Sequence, residues 1–163
     1  MAHNGKNTGQ GIWGKYGFTL LEAVVVIALI AIISAIAVPL SLQWAQNNEY
    51  RASARKILYV LREAKSSAIA SNLEHRVEFE NENRRYRVTR GNRSNNSIDW
   101  STVIYDWTVL PPGVHLSTNV DLIQVNTNGT ANGGTISIKD ETNRIRYEVR
   151  IARTGRIRMP TVF

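Results

Sequence analysis

The 163-residue chain has no cysteine, which excludes a disulfide framework, a thiolate zinc site and a cysteine nucleophile in any compartment. Its three histidines, His3, His75 and His115, lie far apart in sequence, so a local histidine metal motif is missing too. The sequence contains no P-loop, nucleophile elbow, HExxH or EF-hand loop, and no internal repeat or low-complexity tract. Nothing in the spacing of its Ser, His and Asp residues singles out a site, so no catalysis, metal or cofactor is expected. Acid is in short supply: 13 Asp+Glu stand against 20 Lys+Arg, a formal net charge of +7. That excess favours contact with anionic lipid, nucleic acid or an acidic protein face. The mass of 18.3 kDa suits one domain with a real core.

The apolar residues are unevenly spread. From Phe18 to Val38 only Thr19, Glu22 and Ser34 interrupt an apolar run. A helix of that length spans roughly 30 Å, the thickness of a bilayer's hydrocarbon core. The residues before it carry Lys6 and Lys15 and no acid, which keeps the N-terminus in the cytoplasm and sends the rest across. A secretory signal would explain the basic start and the small-residue pattern Ala35-Ile36-Ala37; a plain signal anchor would explain the length. Neither explains Glu22, because a carboxylate at that depth costs at least about 2 to 3 kcal/mol unless paired.

The stretch Gly17-Phe18-Thr19-Leu20-Leu21-Glu22 resembles the class III signal of type IV pilins and type II secretion pseudopilins. The resemblance implies cleavage by a prepilin peptidase between Gly17 and Phe18, N-methylation of Phe18, and a leader comprising residues 1–17. Glu22 then takes the family's fifth mature position and Pro39 its twenty-second. A new amine at Phe18 and the Glu22 carboxylate of a neighbouring subunit would neutralise each other in a low-dielectric setting, so Glu22 is expected to set subunit register. Pro39 removes a helical hydrogen bond and is expected to kink the segment. The chain is expected to be a single-pass protein of the bacterial inner membrane with its C-terminal domain in the periplasm. Implied partners are the peptidase, an inner-membrane assembly platform, membrane lipid and other pilin-like subunits.

Beyond the 18–38 segment, Trp44, Tyr50, Ala54, Ile57, Leu61, Ala64 and Ala68 recur at helical spacing, predicting an amphipathic continuation over 39–71. From Arg76 onward a period of two takes over, with Val77 and Phe79, then Tyr86 and Val88, alternating with charges. Residues 91–97 read as a polar linker, residues 100–110 as an apolar segment containing a strand, and Pro111-Pro112-Gly113 as a break. Further strands are expected over 114–117, 122–126, 135–139, 145–151 and 156–159, separated by turns at Asn128-Gly129 and Asn132-Gly133-Gly134. The expected architecture is α+β, a long helix packed on an antiparallel sheet or small sandwich filling 76–163.

The stretches from Asn126 to Ile138 and from Ala152 to Arg158 are similar to the GspH/FimT group of pilin-like subunits. The leading implication is a GspH-type pseudopilin of type II protein secretion; the rival is a FimT-type minor pilin that primes a type IV pilus and binds DNA. Strand alternation turns the odd-numbered apolar residues Ile145 to Ile151, with Ile157 and Met159, inward and places Arg146, Arg150, Arg156 and Arg158 outward. If the two strands are neighbours, the four guanidiniums form one patch able to hold a phosphate backbone without reading sequence. The plainer reading is a solvated basic face, or one that pairs with an acidic neighbouring subunit.

Overall fold

The computed structural model describes residues 18–160, apart from the side chains of residues 38–42. One helix, α1 (Leu20–Ser71), is followed by eight strands: β1 (His75–Glu80), β2 (Arg85–Arg90), β3 (Thr102–Val109), β4 (His115–Thr118), β5 (Leu122–Val125), β6 (Gly134–Lys139), β7 (Ile145–Ile151) and β8 (Ile157–Arg158). They form two antiparallel four-stranded sheets, sheet A in the order β3-β2-β1-β5 and sheet B in the order β4-β6-β7-β8. The chain divides into two compact units, residues 1–42 and 43–163, and α1 contributes to both.

Local chemistry sets the ends of α1. The Thr19 hydroxyl accepts a hydrogen bond from the Glu22 backbone N–H at 3.1 Å, so Thr19 caps the first turn. Thr19-Leu20-Leu21-Glu22 is thus the sequence pattern of a capping box. At the other end Asn72 takes a left-handed conformation, φ 52°, and stops the helix. The backbone is helical through Pro39, whose side chain, like the cleavage point expected after Gly17, lies outside what is described.

In the second unit, Tyr50, Ala54, Ile57, Leu61, Ala64 and Ala68 are buried and share one core with Val77, Tyr86 and Val88 of sheet A and Ile136, Ile138, Val149 and Ile151 of sheet B. The helical stripe therefore does what its spacing requires, with one correction. Trp44, placed in the same stripe, is 70% exposed. It precedes Tyr50, the first side chain of the helix that the core covers.

The linker over 91–97 is more ordered than its polarity suggests. Glu74 is buried, and its carboxylate accepts hydrogen bonds from the backbone N–H groups of Asn96 (3.2 Å) and Ser97 (2.7 Å) and from Gln124 Nε2 (3.1 Å). Its main chain also receives Gly91 N–H at 2.7 Å. A buried carboxylate satisfied by backbone donors fixes a loop as firmly as a strand pairing would.

Candidate assembly and anion-contact surfaces

The first candidate surface is the N-terminal half of α1. Leu20–Ala37 has a mean hydropathy of 2.8, and none of it is buried inside the described structure. It is long and apolar enough to cross a membrane. Phe18 and Glu22 are both exposed, and Glu22 is the only charge in that half.

The second surface lies on sheet B. Strands β7 and β8 are neighbours, and Arg150 sits directly opposite Arg158. Arg150, Arg156 and Arg158 line one shallow cavity of about 270 Å³ with Asn119 and Thr135. Arg150 and Arg158 also line a second, of about 460 Å³, together with Arg62 of α1 and with Ile157, Met159 and Pro160. Arg150 pairs with Glu148 at 2.6 Å; among the described residues Arg62, Arg156 and Arg158 make no ion pair.

Arg146 does not join them. The register steps from Ile138↔Tyr147 to Lys139↔Ile145, so one extra residue of β7 bulges at Arg146. The bulge breaks the alternation: Ile145, expected inside, is 40% exposed, and Arg146 instead bonds Asp140 at 2.9 Å and lies over the Tyr50 ring at 5.7 Å. The Asp140 carboxyl is pulled down from its ordinary 3.8 to about 2, chiefly by the Thr142 hydroxyl and further by the Arg144 backbone N–H and Arg146. The patch is three arginines of sheet B plus Arg62, a residue the linear sequence gave no reason to include.

What holds this tail in place is a contact between two turns. Gly129, φ 79°, and Gly155, φ 74°, meet so closely that a Cβ on Gly155 would fall inside the Gly129 carbonyl oxygen. Lys65 of α1 donates to the Gly155 carbonyl at 2.9 Å. Ala131 N–H then bonds the Arg153 carbonyl at 3.0 Å, and Ala152 N–H the Arg156 carbonyl at 2.9 Å. The two stretches that carry the GspH/FimT similarity are therefore two halves of one joint, closed on the helix by Lys65. Both glycines are required by positive φ and by close approach.

Sheet A carries a different arrangement. Glu78 accepts a hydrogen bond from Arg87 at 2.5 Å and forms an ion pair with Arg76, whose Nε donates to the Thr89 hydroxyl, and Arg85 pairs with Glu80. Trp100 lies under Arg76 at 4.4 Å, and Trp107 under Arg85 and Arg87 at 4.4 and 4.6 Å. Sequence spacing did not bring these two tryptophans to the arginines; the β2–β3 pairing and the 91–101 loop do.

Comparisons with known proteins agree with this anatomy. The family model described as type II transport protein GspH matches residues 53–155, and that of the prokaryotic N-terminal methylation motif matches residues 14–38. No curated protein sequence matches significantly. Among solved structures, the minor pseudopilin EpsH of the type 2 secretion system of Vibrio cholerae is 19% identical, with a TM-score of 0.58 over 69% of this chain and 97% of that one. The type IV minor pilin FimU of Pseudomonas aeruginosa is 15% identical, with a TM-score of 0.54 over 72% and 92%. E. coli GspH is 8% identical, with a TM-score of 0.57 over 71% and 90%. At these identities the structural likenesses show the pilin-like fold, whereas the family match spans most of the β-rich unit and includes both halves of the glycine joint. The chain belongs to the GspH family of type II transport proteins.

Proposed function

We propose that the chain is made as a precursor, inserted in the inner membrane by Leu20–Ala37 with its β-rich unit in the periplasm, cut after Gly17, and drawn into a pseudopilus of the type II secretion system. One observation carries this reading: an apolar helix, none of it buried and with Glu22 as its one charge, leads into a compact unit that bears the GspH signature. Lipid, and then the packed helices of other pilin-like subunits, would cover that surface. Cleavage would create an amine at Phe18, and Glu22 of one subunit would neutralise the amine of the next. A register that separated them would leave both charges unpaired in an apolar bundle. The chain works through packing and electrostatics, without chemistry of its own. Glu22→Ala is expected to insert and be processed normally while incorporation into sheared filaments falls at least about tenfold, since an unpaired charge costs more than 1.4 kcal/mol. Normal incorporation of the variant would remove Glu22 from this role.

A second reading, the DNA-binding minor pilin, is favoured by the convergence of Arg62, Arg150, Arg156 and Arg158 around two adjoining cavities. A salt series with duplex DNA and the intact protein tests it. If the face holds a phosphate backbone, Arg156→Ala/Arg158→Ala lowers the slope of log affinity against log salt by about two. Absence of binding at low salt would leave the secretion reading alone, with the face turned to an acidic neighbour or to solvent.

A further inference from the structure

The second half of α1 carries a row of basic side chains that the rest of the fold leaves bare. At about 100° per residue, Trp44, Arg51, Arg55 and Arg62 fall within about 40° of one another around the helix. All four are exposed, Trp44 by 70%. None of the three arginines makes an ion pair among the described residues. The two acids of this half stand off the row: Glu49 lines a cavity with Tyr50, Pro112 and Asp140, and Glu63 accepts a hydrogen bond from the Tyr105 hydroxyl of β3. At the far end Arg62 adjoins Arg150 and Arg158, so the row leads into the basic face of sheet B.

Three kinds of anion compete for such a row: a lipid surface, a nucleic acid and an acidic protein. The chain itself favours the first. Trp44 is the seventh residue after Ala37, where the segment apolar enough to cross a membrane ends. A unit tethered so closely to a bilayer meets its headgroups at a higher effective concentration than any partner arriving by diffusion. Trp44 agrees with this, since an indole, apolar with one N–H donor, is enriched where headgroups meet hydrocarbon, whereas a phosphate backbone offers it nothing to cover. Pro39, between the two, removes one helical hydrogen bond and so lets the chain turn the row toward the surface. Each arginine brought near an anionic leaflet then adds about fivefold to the contact.

We propose that Arg51, Arg55 and Arg62, with Trp44 at their head, form a binding surface for anionic phospholipid headgroups, on which the β-rich unit rests before assembly. The inference rests on the reading of Leu20–Ala37 as a membrane segment. The guanidiniums, spread over roughly 16 Å of helix, pair with the phosphates of several lipids through charge-assisted hydrogen bonds, and Trp44 enters the interface beside them. The contact belongs to the membrane stage alone, since a subunit that leaves the bilayer for a filament gives it up.

Because the chain has no cysteine, a single introduced thiol reports one position. Asn48→Cys, exposed beside the row, is labelled with bimane in the full chain, which is reconstituted in vesicles containing lipids with a nitroxide on the headgroup. One set of vesicles is phosphatidylcholine alone, and the other is equal parts of phosphatidylcholine and phosphatidylglycerol. Quenching is expected to be at least about twofold stronger in the anionic set and to weaken as salt is raised. Arg51→Gln/Arg55→Gln/Arg62→Gln is expected to lower the ratio of docked to free unit about a hundredfold, returning quenching to its level in the neutral vesicles. A control that removes as much charge from exposed positions elsewhere, Arg93→Gln/Arg144→Gln/Arg153→Gln, should keep the lipid response. Melting of each variant separates lost docking from lost folding. Equal quenching in the two sets, equal loss in the two triple variants, or a probe that answers only to added duplex DNA or to other pilin-like subunits overturns the lipid surface. Extraction of the chain from the vesicles by alkaline carbonate would instead overturn the membrane reading; a chain that resists extraction and shows no lipid response overturns only the surface.

Discussion

On sheet A, Arg87 stands opposite Glu78 and Arg85 opposite Glu80, while Trp107 covers both guanidiniums; on sheet B, Arg150 stands opposite Arg158, with only Glu148 to offset the pair. The residue type is the same and the outcome opposite. In the β1–β2 hairpin one strand alternates acid where the other alternates base, so register alone neutralises the face. In the β7–β8 pair both strands bring arginine to the same row, and a like-charged cross-strand pair costs a few tenths of a kcal/mol or more. A sheet keeps such a pair where the face is wet or where something anionic comes to it. Arginine content therefore identifies no site here; the identity of the residue one strand away does.

The comparison depends on the tail strand staying where it is, and the most damaging change should be the one that releases it. Gly155→Ala puts a methyl into the Gly129 carbonyl at a backbone conformation that favours glycine, and is expected to cost about 3 kcal/mol or more. Urea unfolding of the full chain in detergent measures this, and a loss under about 1 kcal/mol would show that the joint yields easily. Glu78→Gln comes next. Its side chain is 14% exposed and serves two arginines, so its loss should cost about 1 to 2 kcal/mol. The matching change on sheet B, Glu148→Gln, removes a carboxylate that is as little exposed, 15%, but that serves a single arginine, itself 60% exposed, and should cost less, about 0.5 kcal/mol. It should also strengthen polyanion binding by freeing Arg150. Equal destabilisation by the two glutamine variants would erase the contrast between the sheets.

Much of this was legible in the sequence, and the misses share a cause. Helical spacing selected Tyr50, Ala54, Ile57, Leu61, Ala64 and Ala68, because burial of one face leaves a periodic trace. The α+β architecture followed from the change of period after Ser71. The same spacing overreached at Trp44, since periodicity does not say where the covering sheets begin. Alternation put Arg150 and Arg158 on an outer face but failed at Arg146, because one bulged residue flips everything beyond it and β-bulges have no sequence period. Arg62, Lys65, Trp100 and Trp107 were missed because each acts across elements distant in the chain. Thr19 was legible and overlooked: the T-x-x-E pattern was in view while Glu22 was read only as a charge.

The smallest expected effect separates the sheets by pH. His75, at the start of β1 in sheet A, is buried, and burial pushes its pKa below the ordinary 6.5. The unfolded chain therefore takes up that proton first as the solution is acidified, and stability should begin to fall just below pH 6.5. Asp140, after β6 in sheet B, works lower. Its carboxyl is held at about 2 against an ordinary 3.8, so its contribution is complete above that ordinary value and drains away as pH falls from 3.8 toward 2. Melting temperature followed from pH 7 to pH 2 should show two declines, the first flattened by His75→Gln and the second by Asp140→Asn. The two substitutions act through different protons in different sheets, so neither should alter the other's decline. A first decline that survives His75→Gln would mean that another group titrates there and that burial of the imidazole is not its cause.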